Sequence, residues 1–116
     1  METSKRTYRF ALNIIGFIDK LPKDMSVQVI AKQLLRSSAS IGANIIEARA
    51  RSSRRDYTNF LSHALKSANE TKYWLELLRD ANKCDKETIS LLVQEADEIS
   101  KILGASILTL KGKRMV

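Results

Sequence analysis

Residues 36–56 read RSSASIGANIIEARARSSRRD, and the fold is decided there. The first half sets Ser, Ala and Gly around Ile41, Ile45 and Ile46, with Asn44 and Glu47 among them. Small residues let helices approach closely, and apolar residues at steps of three and four mark one buried helix face. The second half places Arg49, Arg51, Arg54 and Arg55 within seven positions, with Ser52 and Ser53 between them. Serine is a strong N-cap residue, so one helix ends and another begins inside this basic run.

Working outward, Val27, Ile30 and Leu34 carry the stripe back towards Asp24, a candidate N-cap, which predicts a helix over residues 25–50. Beyond the serines, Tyr57, Phe60/Leu61, Ala64, Ala68, Thr71, Leu75 and Leu78 predict a helix over 53–81. Asp85 is the next good N-cap. It precedes Ile89, Leu92/Val93, Ala96, Ile99, Leu103, Ile107 and Leu110, which predict a helix over 85–111. A first helix over 4–20 stops at Leu21-Pro22, because a proline ring cannot continue it. Nothing alternates with the period of a strand. Four helices with short connections favour antiparallel neighbours, so the fold class is all-α, an up-down-up-down antiparallel four-helix bundle filling one domain, 1–116.

The bulk numbers agree. The chain has 116 residues, 44% hydrophobic and 28% charged, with only one Pro and four Gly to make turns. Its apolar runs are too short to span a membrane, and METSKRTYRF lacks the apolar stretch of a signal peptide, which points to the cytoplasm. Cys84 is the sole cysteine, so an internal disulfide and a thiolate metal cage are both excluded. No metal or cofactor is expected.

The first helix bears on assembly. At about 100° per residue, Tyr8, Phe10, Ala11, Leu12, Ile14, Ile15, Phe17 and Ile18 cover an arc of roughly 220°, whereas one buried face needs little more than about 100°. The surplus points to a second covered face, most simply against another copy of the chain.

Topology also places the charge. An up-down bundle brings the start of the first helix, the second junction and the end of the fourth helix to one end. Lys5, Arg6, Arg9, Arg49, Arg51, Arg54, Arg55, Lys111, Lys113 and Arg114 fall there against Glu2, Glu47 and Asp56, which accounts for the whole net charge of +7. Gathered like charges repel unless a polyanion relieves them, and the guanidinium fork suits phosphate. These ten residues are therefore the candidate nucleic-acid contacts, for RNA or DNA, through the backbone rather than specific bases. Asn44 and Glu47 on the second helix and Ser67 and Glu70 on the third flank the core stripes. They form a candidate structural polar network with Arg36 or Lys66, since buried carboxylates need partners. One histidine, no Glu-x-x-His pair and no activated nucleophile speak against catalysis. Arg55 and His63 are separated by seven residues, which misses the closer Arg-to-His spacing of small helical ribonucleases. A third class is a scaffold whose basic end docks an acidic protein.

QLLRSSASIGANIIEA, followed by RSSRRDYTNFLSHALKSANETKYWLELL, resembles the bacterial four-helix-bundle proteins encoded within 23S rRNA intervening sequences, the S23 proteins. These are related to the accessory protein of diversity-generating retroelements, which partners a reverse transcriptase. The pattern of the second helix falls on Gln33, Arg36, Ser40, Ile41, Asn44, Ile45 and Glu47, and that of the third on Phe60, Ala64, Ser67 and Glu70. The resemblance implies a four-helix bundle without enzymatic activity that assembles into a ring, typically a pentamer, with a basic surface for nucleic acid. It also implies a reverse transcriptase or a ribosome-associated factor as an alternative partner. Ala48 stands where the family usually has Gly, so a turn into the third helix that is longer or starts later is expected. Lys66 stands where the family often has Gly before the serine.

Overall fold

The computed structural model describes residues 2–115, apart from the side chains of residues 113–115. Four helices, α1 (Glu2–Asp19), α2 (Met25–Arg49), α3 (Arg54–Asp80) and α4 (Lys86–Met115), form an up-down-up-down antiparallel bundle. It is a rod measuring 50 × 22 × 21 Å. Against expectation, α1 begins at Glu2 and α4 runs on to Met115; the other ends lie within a residue of those predicted.

Local chemistry sets the boundaries. Lys20 and Leu21 donate backwards to the Phe17 and Ile18 carbonyls at 3.2 and 3.1 Å, tightening the end of α1 before Pro22. Ser53 caps α3, its Oγ accepting from the Asp56 N–H at 3.1 Å. Asp85 caps α4, its Oδ2 accepting from the Thr88 N–H at 2.9 Å and the Thr88 hydroxyl at 2.8 Å. Asp24 is different. It precedes α2 in an N-cap position but makes no capping bond; its Oδ2 accepts from Lys83 Nζ at 2.9 Å. There the carboxylate meets a full positive charge, and it thereby ties the α1–α2 connection to the α3–α4 connection. At the end of α3, Asn82 takes a left-handed φ of 58°. Its N–H reaches the Arg79 carbonyl at 3.1 Å and the Lys83 N–H reaches that of Leu78 at 3.2 Å, a Schellman closure.

The predicted stripes are the core: Leu34, Ile41, Leu75, Leu78, Ile89, Ile99 and Leu103 are fully buried with Phe10 and Ile14 of α1. Each such side chain contributes about 1.5–3 kcal/mol on burial. Close approach depends on small residues. Ala48, Ala64, Ala68 and Ala96 are fully buried, and a Cβ added at Gly42 would meet Thr7 Oγ1 at 3.3 Å. The glycine of the deciding stretch is therefore where α2 receives α1. The α2–α3 interface is partly polar: Thr71 Oγ1 donates to Ser37 Oγ at 2.8 Å, and Ser67 Oγ to Ser40 Oγ at 3.0 Å.

Helix α1 buries Thr7, Phe10, Ile14 and Phe17, yet leaves Tyr8, Leu12 and Ile15 exposed by 68%, 51% and 44%. It leans chiefly on α2. On the α4 side a clamp holds it, with Arg6 Nε and Nη2 donating to Glu95 at 2.7 and 2.8 Å and Nη2 to Glu98 at 2.6 Å.

Candidate functional site

Lys5, Arg9, Arg49, Arg54, Arg55 and Lys111 are exposed. Against expectation they do not all share one end: Arg49, Arg54, Arg55 and Lys111 lie towards the α2–α3 connection, whereas α1 is short and begins lower. Thr7 stands against Gly42 and Arg6 reaches Glu95, about 24 Å of helix before Lys111, so Lys5 and Arg9 sit on the adjoining side of the rod. Among the described residues none of the six is in a salt bridge. Two arginines assigned to this surface are held elsewhere. Arg6 is turned to the Glu95 and Glu98 carboxylates, whose hydrogen bonds hold its guanidinium firmly in the charged form. Arg51 pairs with Glu47 at 2.5 Å, one helical turn back, and lies 4.5 Å above the Phe60 ring. The side chains of Lys113 and Arg114 lie outside the described residues. Ser53 leaves the N–H groups of the first turn of α3 facing the same end.

The internal network is built differently from expectation. Glu47 does not join it: its exposed carboxylate pairs with Arg51, four residues on, and among the described residues it bonds no group of α3. Glu70 does belong, held by Arg36 of α2 and by Trp74 Nε1 at 3.0 Å. Asn44 donates its amide to the Ser40 carbonyl at 2.8 Å and to Ser40 Oγ at 3.0 Å, and Ser67 donates to that same oxygen. Ser40 is thus the hub. Lys66 is exposed beside it. These groups line a shallow polar notch of about 410 Å³ along the α2–α3 seam, formed by Ser40, Asn44, His63, Lys66, Ser67 and Glu70. The hydroxyl pairs and the Trp74 contact escape sequence reading, because two serines facing across helices look like two solvent-exposed serines. The signal that could have found them is that Ser37 and Ser40, and likewise Ser67 and Thr71, stand one helical turn apart on facing helices.

Of the two residues whose chemistry is worth testing, His63 is exposed with its ring edge-on to Phe60 at 6.0 Å. Burial pushes the Cys84 thiol up, opposite to what a nucleophile needs. A second groove, mainly apolar and about 670 Å³, lies between α1 and α2 and is lined by Tyr8, Ala11, Leu12, Ala39, Ala43 and Ile46. Among the described residues no helix is long and apolar enough to cross a membrane.

The chain is similar to proteins already known. The family model described as 23S rRNA-intervening sequence protein matches residues 1–105. A solved structure of a protein of unknown function from the S23 ribosomal protein family of Bacteroides thetaiotaomicron is 40% identical, covering 90% of this chain and 97% of that one, with a TM-score of 0.84. Neither description names a catalytic activity. No curated protein matches.

Proposed function

Since the chain belongs to the 23S rRNA-intervening sequence protein family, we propose that it is a non-enzymatic cytoplasmic accessory protein that binds RNA or DNA and self-associates. The observation that carries this reading is the set of six exposed cations, four towards one end of the rod and Lys5 and Arg9 on the adjoining side, outside every salt bridge among the described residues. Arginines without carboxylate partners keep their guanidinium forks free for phosphate oxygens. The first turn of α3 adds backbone donors and a positive helix end beside them. Glu2 and Asp56 are the local counter-charges, and Glu47 already serves Arg51. Contact would be with the backbone, and therefore steeply salt-dependent.

Self-association is supported by the outer face of α1. Tyr8, Leu12 and Ile15 continue through Ile46 of α2 and Leu91 of α4, all exposed. The ring that the family resemblance implies, a pentamer, would cover that face and bring several basic ends together.

The test compares the parent with a protein carrying Arg49→Glu, Arg54→Glu and Arg55→Glu. Binding to labelled RNA and DNA is followed by anisotropy across a salt series. Six phosphate contacts correspond to a loss of about 10³-fold in affinity between about 50 and 200 mM salt. The parent is expected to show this slope and the variant to bind far more weakly. Equal binding by the two proteins at equal salt would refute the reading. Complexes recovered intact after nuclease treatment would assign the basic end to an acidic protein instead, such as a reverse transcriptase.

A further inference from the structure

The seam between α2 and α3 carries a pattern that the basic end does not explain. On α3, Arg55, Asn59, His63, Lys66, Glu70 and Tyr73 follow one another at steps of four, four, three, four and three, a single outward stripe. It runs about 27 Å from the basic end at 1.5 Å per residue. On α2, Arg36, Ser40, Asn44 and Glu47 form the matching stripe. The two stripes differ in charge. Each carboxylate of the seam is taken by an arginine, Glu47 by Arg51 and Glu70 by Arg36, whereas Arg55 and Lys66 are exposed and in no salt bridge among the described residues. Asp56, near the top, is the one opposing charge outside those pairs. The positive side of the seam therefore continues the basic end down the rod.

Midway, the seam opens into the notch at Ser40. Its hydrogen-bonding groups are only partly used. Asn44 commits its NH₂ to Ser40, and among the described residues its Oδ1 accepts nothing. Glu70 takes both its bonds on Oε2, leaving Oε1 free, and the Ser40 hydroxyl accepts twice without donating. Acceptors flanked by Lys66 and His63 suit a flat polar ring with an amino group and a phosphate attached. Past the notch, Tyr73 is 57% exposed and stands edge-to-face with Trp74 at 5.0 Å, a face on which a further base can stack.

We propose that the α2–α3 seam is a track for single-stranded nucleic acid, with phosphates along Arg55 and Lys66, one unpaired base in the notch at Ser40 and Asn44, and the next stacked on Tyr73. A duplex cannot occupy it, because its base edges are paired and cannot enter a notch between helices. The free acceptors favour a base with an exocyclic amino group, cytosine over thymine. This inference rests on the nucleic-acid reading above and extends it from the end of the bundle to its side.

The test uses labelled oligodeoxycytidine and oligodeoxythymidine of about 16 nucleotides, the corresponding RNA strands and a duplex of equal length. The proteins are the parent, Lys66→Glu, Tyr73→Ala, Asn44→Leu and the triple arginine variant, each checked for helicity and melting. Single strands should bind more tightly than duplex. The cytidine strand should lead by about 5- to 100-fold, and Asn44→Leu should erase that preference. Tyr73→Ala should weaken single-strand binding by about 5- to 100-fold and leave duplex binding unchanged. If folded Lys66→Glu and Tyr73→Ala bind single strands like the parent while the triple arginine variant does not, the track is wrong and the basic end stands. Duplex binding as tight as single-strand binding would also overturn it. If the parent binds no nucleic acid at low salt, both readings fall. Variants that change the mass by light scattering but not the affinity would mark the seam as a contact between copies, which overturns the track.

Discussion

Arg6 belongs to the charge that topology collects at one end, yet its side chain works inside the bundle. Its partners Glu95 and Glu98 lie 89 and 92 residues away, so only the antiparallel register brings them together. Hydrogen bonds from Arg6 first, and Gln94 second, hold the Glu98 carboxyl below its ordinary 4.5. Lys72 and then Lys101 hold Asp97 below 3.8. A depressed folded pKa stabilises the protein above the unfolded value and is lost as pH falls through the folded one. Melting temperature should therefore stay level from neutral pH down to about 5 and then fall below about 4.5, by an amount reduced in Arg6→Met. A parallel acid decline in the two proteins would contradict the clamp. Asn82 offers a simpler check: its φ of 58° is costly for a branched side chain, so Asn82→Val should lose about 1–2 kcal/mol in urea unfolding. The limits of sequence reading are visible at this scale. Ser53 and Asp85 cap as expected because a cap is a three-residue affair. Asp24 does not, because Lys83 arrives from 59 residues away. Glu47 was legible in principle, since Arg51 sits four places on, but its flank position on α2 fitted a network equally well.

Helices were the most legible level, because 3.6-residue periodicity is a local property and each stripe reappears as a buried face. Ile30, Tyr57 and Leu110 occupy stripe positions but are only half-buried. Of the paired positions Leu61 and Leu92 enter the core while Phe60 and Val93 stay at its edge, and Thr58 is a buried residue outside the expected stripe. The turn into α3, expected to be longer or to start later, occupies residues 50–53, so α2 continues past Ala48, which is fully buried. Helix α1 shows what periodicity could say and where it stopped. Its apolar arc is too wide for one face, and Tyr8, Leu12 and Ile15 remain exposed beside the α1–α2 groove. If copies of the chain cover that face, Leu12→Lys should shift the particle from a multiple of 13.1 kDa towards the single-chain mass in light scattering. The melting temperature of the isolated chain should hardly change, because Leu12 buries little within it. A 13.1 kDa particle for the parent would refute self-association altogether.

At the scale of the whole molecule, the two ends of the rod are held in unlike ways. At one end two connections meet, the Asp24–Lys83 bridge joins them, and the Asn82 closure and the Asp85 cap fix the turn beside it. At the other, the last turns of α4 and a single serine-capped connection share the space with unneutralised cations, and α1 begins a little lower. The rod is thus clasped at its foot and loose at its head. Thermal opening should begin at the head, so amide exchange should be fastest in the first turn of α1, around Arg49–Arg54 and in the last turns of α4, and slowest towards the foot. A polyanion seated on the head would reverse the order of events by mass action, slowing exchange most where it was fastest. Exchange that is uniform along the rod, or fastest at the foot, would show that the clasp has no mechanical role. Otherwise the bundle behaves as a one-way zipper whose ligand is also its lock.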